Sequence, residues 1–195
     1  MPLWRGIVGE GFTAAQLEGY AAALAFGSWR PRFVVLHNTR LPTLAQWHER
    51  PGLEHLRHFE RRYRDELGWS AGPHLFVADD LIWVFTPLDL PGVHSPSWNT
   101  LAWGVEVVGD YDSEPLSAAV RANTVAALAT LHAAGGLDPA SLRLHREDPR
   151  TSHTFCPGAN LASQRDDIVA EVHGILGARG GRAPGAAGDA APPPS

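Results

Sequence analysis

The residues best suited to chemistry in this 195-residue chain are its only cysteine and two of its ten histidines. Cys156 stands in Thr154-Phe155-Cys156-Pro157-Gly158, eleven residues after the histidine of Leu144-His145-Arg146. His37 closes the apolar run Phe33-Val34-Val35-Leu36, where a strand would end and present a side chain to a cleft. Zinc takes nitrogen and sulfur ligands in a tetrahedron, and a catalytic site stops at three protein ligands so that water can hold the fourth position. His37, His145 and Cys156 read as such an open site. Zinc there would polarise a carbonyl and lower the pKa of the water it holds from about 15.7 toward 7. A carboxylate must then move protons, and Glu106 lies in the apolar run Trp103-Gly104-Val105-Glu106-Val107-Val108, where a buried charge is costly unless something pairs with it or uses it. A buried acid beside zinc can act as general base and then as general acid. The competing reading of Glu106 is the solvent-facing residue of an alternating strand. The other histidines His48, His55, His58, His132 and His173 read as core or surface residues.

Positioning these groups requires strands that end near one another. Thr13 and Gln16 form a capping box, and Leu17, Tyr20, Ala21 and Leu24 repeat at helical spacing until Gly27. Phe33 to His37 follows as a buried strand. Leu53 to Leu67 reads as a helix with Leu56, Phe59, Tyr63 and Leu67 on one stripe. His74 to Ala78 and Leu81 to Thr86 read as a hairpin turning at Asp79-Asp80, and Trp103 to Val108 as a further strand. Pro115 opens a third helix that Gly135-Gly136 ends, and a last helix starts at Ser163. The pattern predicts an α/β fold, a central mixed β-sheet flanked by helices. Residues 1–29 form an N-terminal helical extension packed on the domain, 30–177 the zinc domain, and 178–195 a Gly/Ala/Pro-rich segment that cannot bury enough apolar area to fold.

Composition narrows the function. A formal charge of -5 without a cluster of lysine and arginine argues against nucleic acid, since the arginines between 57 and 64 are interleaved with Glu54, Glu60, Asp65 and Glu66. No apolar run reaches the length of a membrane span, and Met1-Pro2-Leu3-Trp4-Arg5 lacks the pattern of a secretory signal. The expectation is a monomer made in the cytoplasm. One cysteine forms no internal disulfide, so the thiol is free or binds metal. The loop Val93-His94-Ser95-Pro96-Ser97-Trp98-Asn99-Thr100 offers His94, Trp98 and Asn99 as contacts to a sugar or short peptide, with Trp47 a weaker candidate; either tryptophan could instead plug the edge of the core. His74 opens a strand and supports the site by a hydrogen bond rather than ligating metal, so it is grouped with these binding candidates.

Five strings in order, Val34-Val35-Leu36-His37-Asn38-Thr39, Gly72-Pro73-His74-Leu75-Phe76, Gly104-Val105-Glu106-Val107-Val108-Gly109, His145, and Thr154 to Gly158, resemble the type 2 N-acetylmuramoyl-L-alanine amidases. That family also contains amidase-type phage lysozymes and peptidoglycan recognition proteins. The resemblance covers about residues 30 to 176 and implies a mixed sheet flanked by helices, one zinc, and hydrolysis of the amide between the muramyl lactyl group and L-alanine. It supports Glu106 as the catalytic carboxylate. Two positions depart from the pattern. Pro73 stands where phage lysozymes carry an assisting tyrosine, and Thr154 stands where many members carry a lysine poised over the oxyanion. Thr154 can donate only a neutral hydrogen bond, and the adjacent His153 can supply a stronger one. The expected activity is a phage or prophage endolysin acting on the wall, in the periplasm. The alternatives are a cytoplasmic amidase recycling soluble muropeptides, a module that binds peptidoglycan without cutting it, and a metal-free protein with Cys156 in its core.

Overall fold

Alternation along six short strands decides the architecture. The computed structural model describes residues 3–180. In chain order its elements are β1 (Glu10–Phe12), α1 (Ala14–Ala22), β2 (Phe33–Asn38), α2 (Leu44–Trp47), α3 (Gly52–Arg61) running into a π-helical turn (Arg62–Glu66), β3 (Leu75–Val77), β4 (Ile82–Val84), β5 (Ala102–Val107), α4 (Ala118–Gly135), β6 (Arg143–Leu144), α5 (Ala159–Ala162) and α6 (Arg165–Gly180). The strands form one mixed sheet in the order β1-β4-β3-β5-β2-β6, with helices on its faces. β3, β5, β2 and β6 run parallel; at one side β4 pairs antiparallel with β3, and β1 antiparallel with β4.

Successive side chains of a strand point to opposite faces. On one face Val34, Leu36, Leu75, Val77, Ile82, Val84, Trp103, Val105 and Val107 are fully buried in a core shared with α1, α4 and α6. Burying side chains of this kind stabilises by about 1.5–3 kcal/mol each. On the other face α3 covers only the β3–β4 side, where Leu56 and Phe59 pack on Phe76, Ala78 and Phe85. Trp98 covers Val35 and Ala102 near the other ends of β2 and β5. Between these two patches the carboxyl ends of β2 and β5 are left open, and His37 and Glu106 stand there as direct register partners.

Several boundaries differ from the sequence reading. The Thr13–Gln16 capping box forms as expected, but α1 stops at Ala22, five residues before Gly27. The segment 1–29 is more than helical, because β1 within it pairs with β4 and supplies the sheet edge. A three-residue strand with a central glycine gives no periodicity to read. The helix expected over Leu53 to Leu67 loosens after Arg61 into the π-helical turn, and Leu67 is exposed. A second capping box, Thr43 with Gln46, starts the single turn α2. Ser117, not Pro115, caps α4, its hydroxyl accepting from the Val120 N–H; Gly136 ends it in the left-handed conformation at φ 62°. The helix expected from Ser163 begins at Arg165 as α6, and the separate single turn α5 precedes it. Of the segment expected to be unfolded, 178–180 instead continue α6, and the rest lies outside the described residues.

Candidate metal centre and active site

The three expected ligands come together from three separate places. His37 is the fifth residue of β2, His145 follows β6 immediately, and Cys156 lies on the loop beyond it. One ligating atom from each lies within 4.8 Å of the others. That places the three donors near enough for one ion to draw them together with small side-chain adjustments. His37 and His145 are buried and their rings lie 4.3 Å apart. Burial holds both imidazoles below their ordinary value, His145 at about 4, so both are neutral at pH 7 as metal ligation requires.

Hydrogen bonds decide which ring nitrogen remains available. His37 Nε2 lies 3.0 Å from His94 Nδ1, and His94 Nε2 lies 3.2 Å from the Ala102 carbonyl. The carbonyl only accepts, so His94 is protonated at Nε2 and accepts at Nδ1; His37 must therefore donate from Nε2. This leaves the Nδ1 lone pair of His37 toward the site. His145 Nε2 is bonded to Thr151 Oγ1 at 2.9 Å, which likewise leaves Nδ1. A ligating histidine whose other nitrogen is fixed by a partner is the usual arrangement around metals. Cys156 is held from behind, since Arg146 donates from its backbone and from Nε to the Cys156 carbonyl, both at 3.1 Å, and from Nη2 to that of Phe155 at 2.6 Å. Burial, with the Glu106 carboxylate adding to it, pushes the Cys156 thiol well above its ordinary value. A cation between the three groups offsets that cost and favours the thiolate.

Glu106 Oε1 is 3.9 Å from His37 Nδ1, and Oε2 is buried with no hydrogen-bond partner. Burial alone pushes the carboxyl up to about 8. An orphaned carboxylate oxygen beside two imidazoles and a thiol is explained by a metal and a water at this spot, so the donor set fits zinc. These groups open onto a cleft of about 1080 Å³ that Tyr63, Pro73, His153 and Thr154 also line. His153 and Thr154 are exposed on its rim, the His153 ring lying over His145 at 5.3 Å.

The expected binding residues are placed differently. His94 borders the cleft, but it is buried behind His37 and both its ring nitrogens are spent on the protein. Gly104 makes room for it, since a Cβ there would come within 2.4 Å of the His94 ring. Asn99 Oδ1 accepts from the His94 and Ser95 N–H groups at 2.6 and 2.8 Å, so it shapes the loop. Trp98 is buried against Phe33 and Val35, and Trp47 is buried and stacked on His55; each fills apolar space, as the competing reading of both tryptophans has it. His74 is fully buried, accepting from Gly104 N–H at 3.0 Å through Nδ1 and bonded to the Leu90 carbonyl through Nε2. Trp47, His74, Trp98 and Asn99 are not among the residues bordering the cleft. The corrections share one cause: in this loop and around the sheet, burial satisfied polar tips locally.

Asp148, Thr151 and Arg146 went unread in the sequence. Asp148 Oδ2 accepts from Ser95 Oγ at 2.5 Å and Ser97 N–H at 2.9 Å, tying the loop that carries His94 to the turn after His145. Burial opposes its ionisation, but these bonds and the Arg150 N–H outweigh it and bring Asp148 to about 2. Its partners are some fifty residues away, so no local spacing marks it. Arg146 and Thr151, which follow His145 by one and six residues, were the nearest available signal.

The family model described as N-acetylmuramoyl-L-alanine amidase matches residues 27–159. No curated protein matches the chain. Among solved structures, Drosophila PGRP-LB is similar with a TM-score of 0.60 at 20% identity, over 83% of this chain and 85% of that one. The amidase LysC from Clostridium intestinale URNW has a TM-score of 0.56 at 23% identity, over 77% and 91%. A mutant of Drosophila PGRP-LB has been solved in complex with tracheal cytotoxin, with a TM-score of 0.60 at 20% identity, over 83% and 86%. With the matched region spanning β2 to the start of α5, and so His37, Glu106, His145 and Cys156 together, the chain belongs to the N-acetylmuramoyl-L-alanine amidase family.

Proposed function

We propose that this chain is a zinc-dependent amidase that hydrolyses the bond between N-acetylmuramic acid and L-alanine in peptidoglycan. The observation that carries the reading is the buried, unpartnered Oε2 of Glu106 beside the open nitrogens of His37 and His145 and the Cys156 thiol. Zinc held by these three would supply Lewis acidity to the scissile carbonyl and make water nucleophilic at neutral pH. Glu106 accepts the water proton as attack proceeds and returns it to the leaving amine of L-alanine, so the amide C–N bond breaks with protons balanced. Thr154 and His153, on the rim beside Cys156, donate to the carbonyl oxygen as it gains charge. His94 and Thr151 orient His37 and His145, and Arg146 fixes the Cys156 loop.

The same reading takes wall peptidoglycan as the substrate, as for an endolysin, because the cleft is an open groove of about 1080 Å³ that a polymer can cross. The similar solved structures include an endolysin amidase and recognition proteins bound to peptidoglycan fragments, which supports a muropeptide ligand. Among the described residues no helix is long and apolar enough to cross a membrane. A binding module would occupy the same cleft without turnover. Purified protein should hold about one zinc and release L-alanine-linked peptides from isolated sacculi. One zinc with no cleavage of sacculi or soluble muropeptides would leave the binding module, and absence of zinc would sink the amidase reading.

A further inference from the structure

One polar group in the cleft has no task in the mechanism above. Tyr63 sits in the π-helical turn after α3, a widened turn of the kind often found at functional sites. Its ring is clamped between Phe59 and Trp69, stacked at 5.8 and 5.0 Å, with Phe85 edge-on at 5.8 Å. Gly72 completes the slot, because a Cβ there would come within 2.8 Å of the Tyr63 ring. A ring packed on three sides for its area alone could as well be phenylalanine. The phenol is instead carried to the wall of the same cleft that Glu106, His37 and Cys156 border. Its phenol is near enough to Glu106 for that carboxyl, when ionised, to disfavour the phenolate.

The half-buried Tyr63 and Glu106, whose Oε2 is buried without a partner, thus border one space. They approach it from different walls, Glu106 from β5 and Tyr63 from the turn that follows α3. Pro73, which also borders the cleft, has no proton to give. Resting on the amidase reading, we propose that Tyr63 is a further catalytic residue, its phenol donating a hydrogen bond to the substrate's carbonyl oxygen as that oxygen becomes negative. The donor transfers no proton. It strengthens as charge develops and relaxes when the C–N bond breaks, which is the differential binding that lowers a barrier. Burial and the nearby Glu106 hold the phenol well above its usual value, so it stays protonated at neutral pH.

Tyr63→Phe tests this, since it keeps the ring stack and removes one oxygen. Hydrolysis of a soluble muropeptide by the zinc-bound variant should show kcat lowered by about 10²–10³-fold, the range for loss of one oxyanion donor, with KM within about threefold. A phosphinate analogue of the tetrahedral intermediate should bind the variant about 10²-fold more weakly in calorimetry, while binding of the uncleaved-substrate mimic stays within about threefold. Zinc content and Tm should match wild type. A kcat within threefold of wild type, a loss confined to KM, or equal weakening of both ligands would each overturn the assignment. Wild type that cuts neither sacculi nor muropeptides overturns the amidase reading itself, an outcome distinct from a normal wild type with a normal Tyr63→Phe variant.

Discussion

Two groups of buried histidine lie a few ångströms apart on the same face of the sheet, and they are put to opposite uses. His74 stacks on Trp29 and gives both ring nitrogens to the backbone, one to Gly104 N–H and one to the Leu90 carbonyl. His37 and His145 each give one nitrogen to a neighbour, His94 or Thr151, and keep the other. All are driven neutral by burial. The difference teaches that burial and neutrality alone do not suit a histidine to ligation; an uncommitted nitrogen facing other donors, as at His37 and His145, does. His94 shows the boundary case, adjacent to both groups with no nitrogen left.

The sharpest way to break this comparison is to exchange the roles. His37→Ala or Cys156→Ser should abolish hydrolysis, by at least about 10³-fold, and reduce zinc in metal analysis well below one per chain. His74→Ala should keep its zinc yet fold less stably by about 2–5 kcal/mol, because the Gly104 N–H and the Leu90 carbonyl both lose partners. Loss of zinc in the His74 variant with unchanged Tm would reverse the assignment. Glu106→Gln should retain metal and lower kcat by about 10²–10⁴-fold; full turnover would remove Glu106 from the mechanism. His94→Phe should weaken zinc affinity by about 10–100-fold, read by competition with a chelator, since His37 loses the acceptor that fixes its orientation.

A separate effect is a dependence on pH in protein stripped of metal. Folded His74, His94 and His145 sit at about 3, 4 and 4, below the 6.5 of an unfolded histidine. The unfolded chain therefore binds protons that the fold refuses. Stability is full above about pH 6.5 and falls as pH drops toward 4, by up to about 1.4 kcal/mol per histidine per unit. Asp148 acts further down, its stabilisation being lost as pH falls from about 3.8 toward 2. Thermal melts between pH 7.5 and 4.5 should show a falling Tm; a flat profile would mean these rings are not held neutral.

Much of the architecture and of the candidate site was legible because it depends on residue type and order. The apolar runs that became β2 and β5, the hairpin of β3 and β4, the Thr13–Gln16 box and the Gly136 stop each act over a few residues, where propensity and capping decide the outcome. His37, His145, Cys156 and Glu106 stood out because their side-chain chemistry conflicts with the apolar strands or loops around them. The binding candidates were not legible, for the opposite reason. Trp47, Trp98 and Asn99 look the same in sequence whether they face a ligand or fill a gap, while His74 makes the hydrogen bonds expected of a supporting residue.

From the sequence alone came a mixed α/β sheet, the family, and a His, His, Cys donor set with one carboxylate, since strand periodicity and ligand chemistry are local properties. Tertiary structure alone decided which nitrogen each histidine keeps, that Glu106 has an orphaned oxygen, and that Tyr63 reaches the same space. Those facts depend on groups tens of residues apart meeting in a desolvated cleft, where a single hydrogen bond settles whether a polar side chain is scaffold or chemistry.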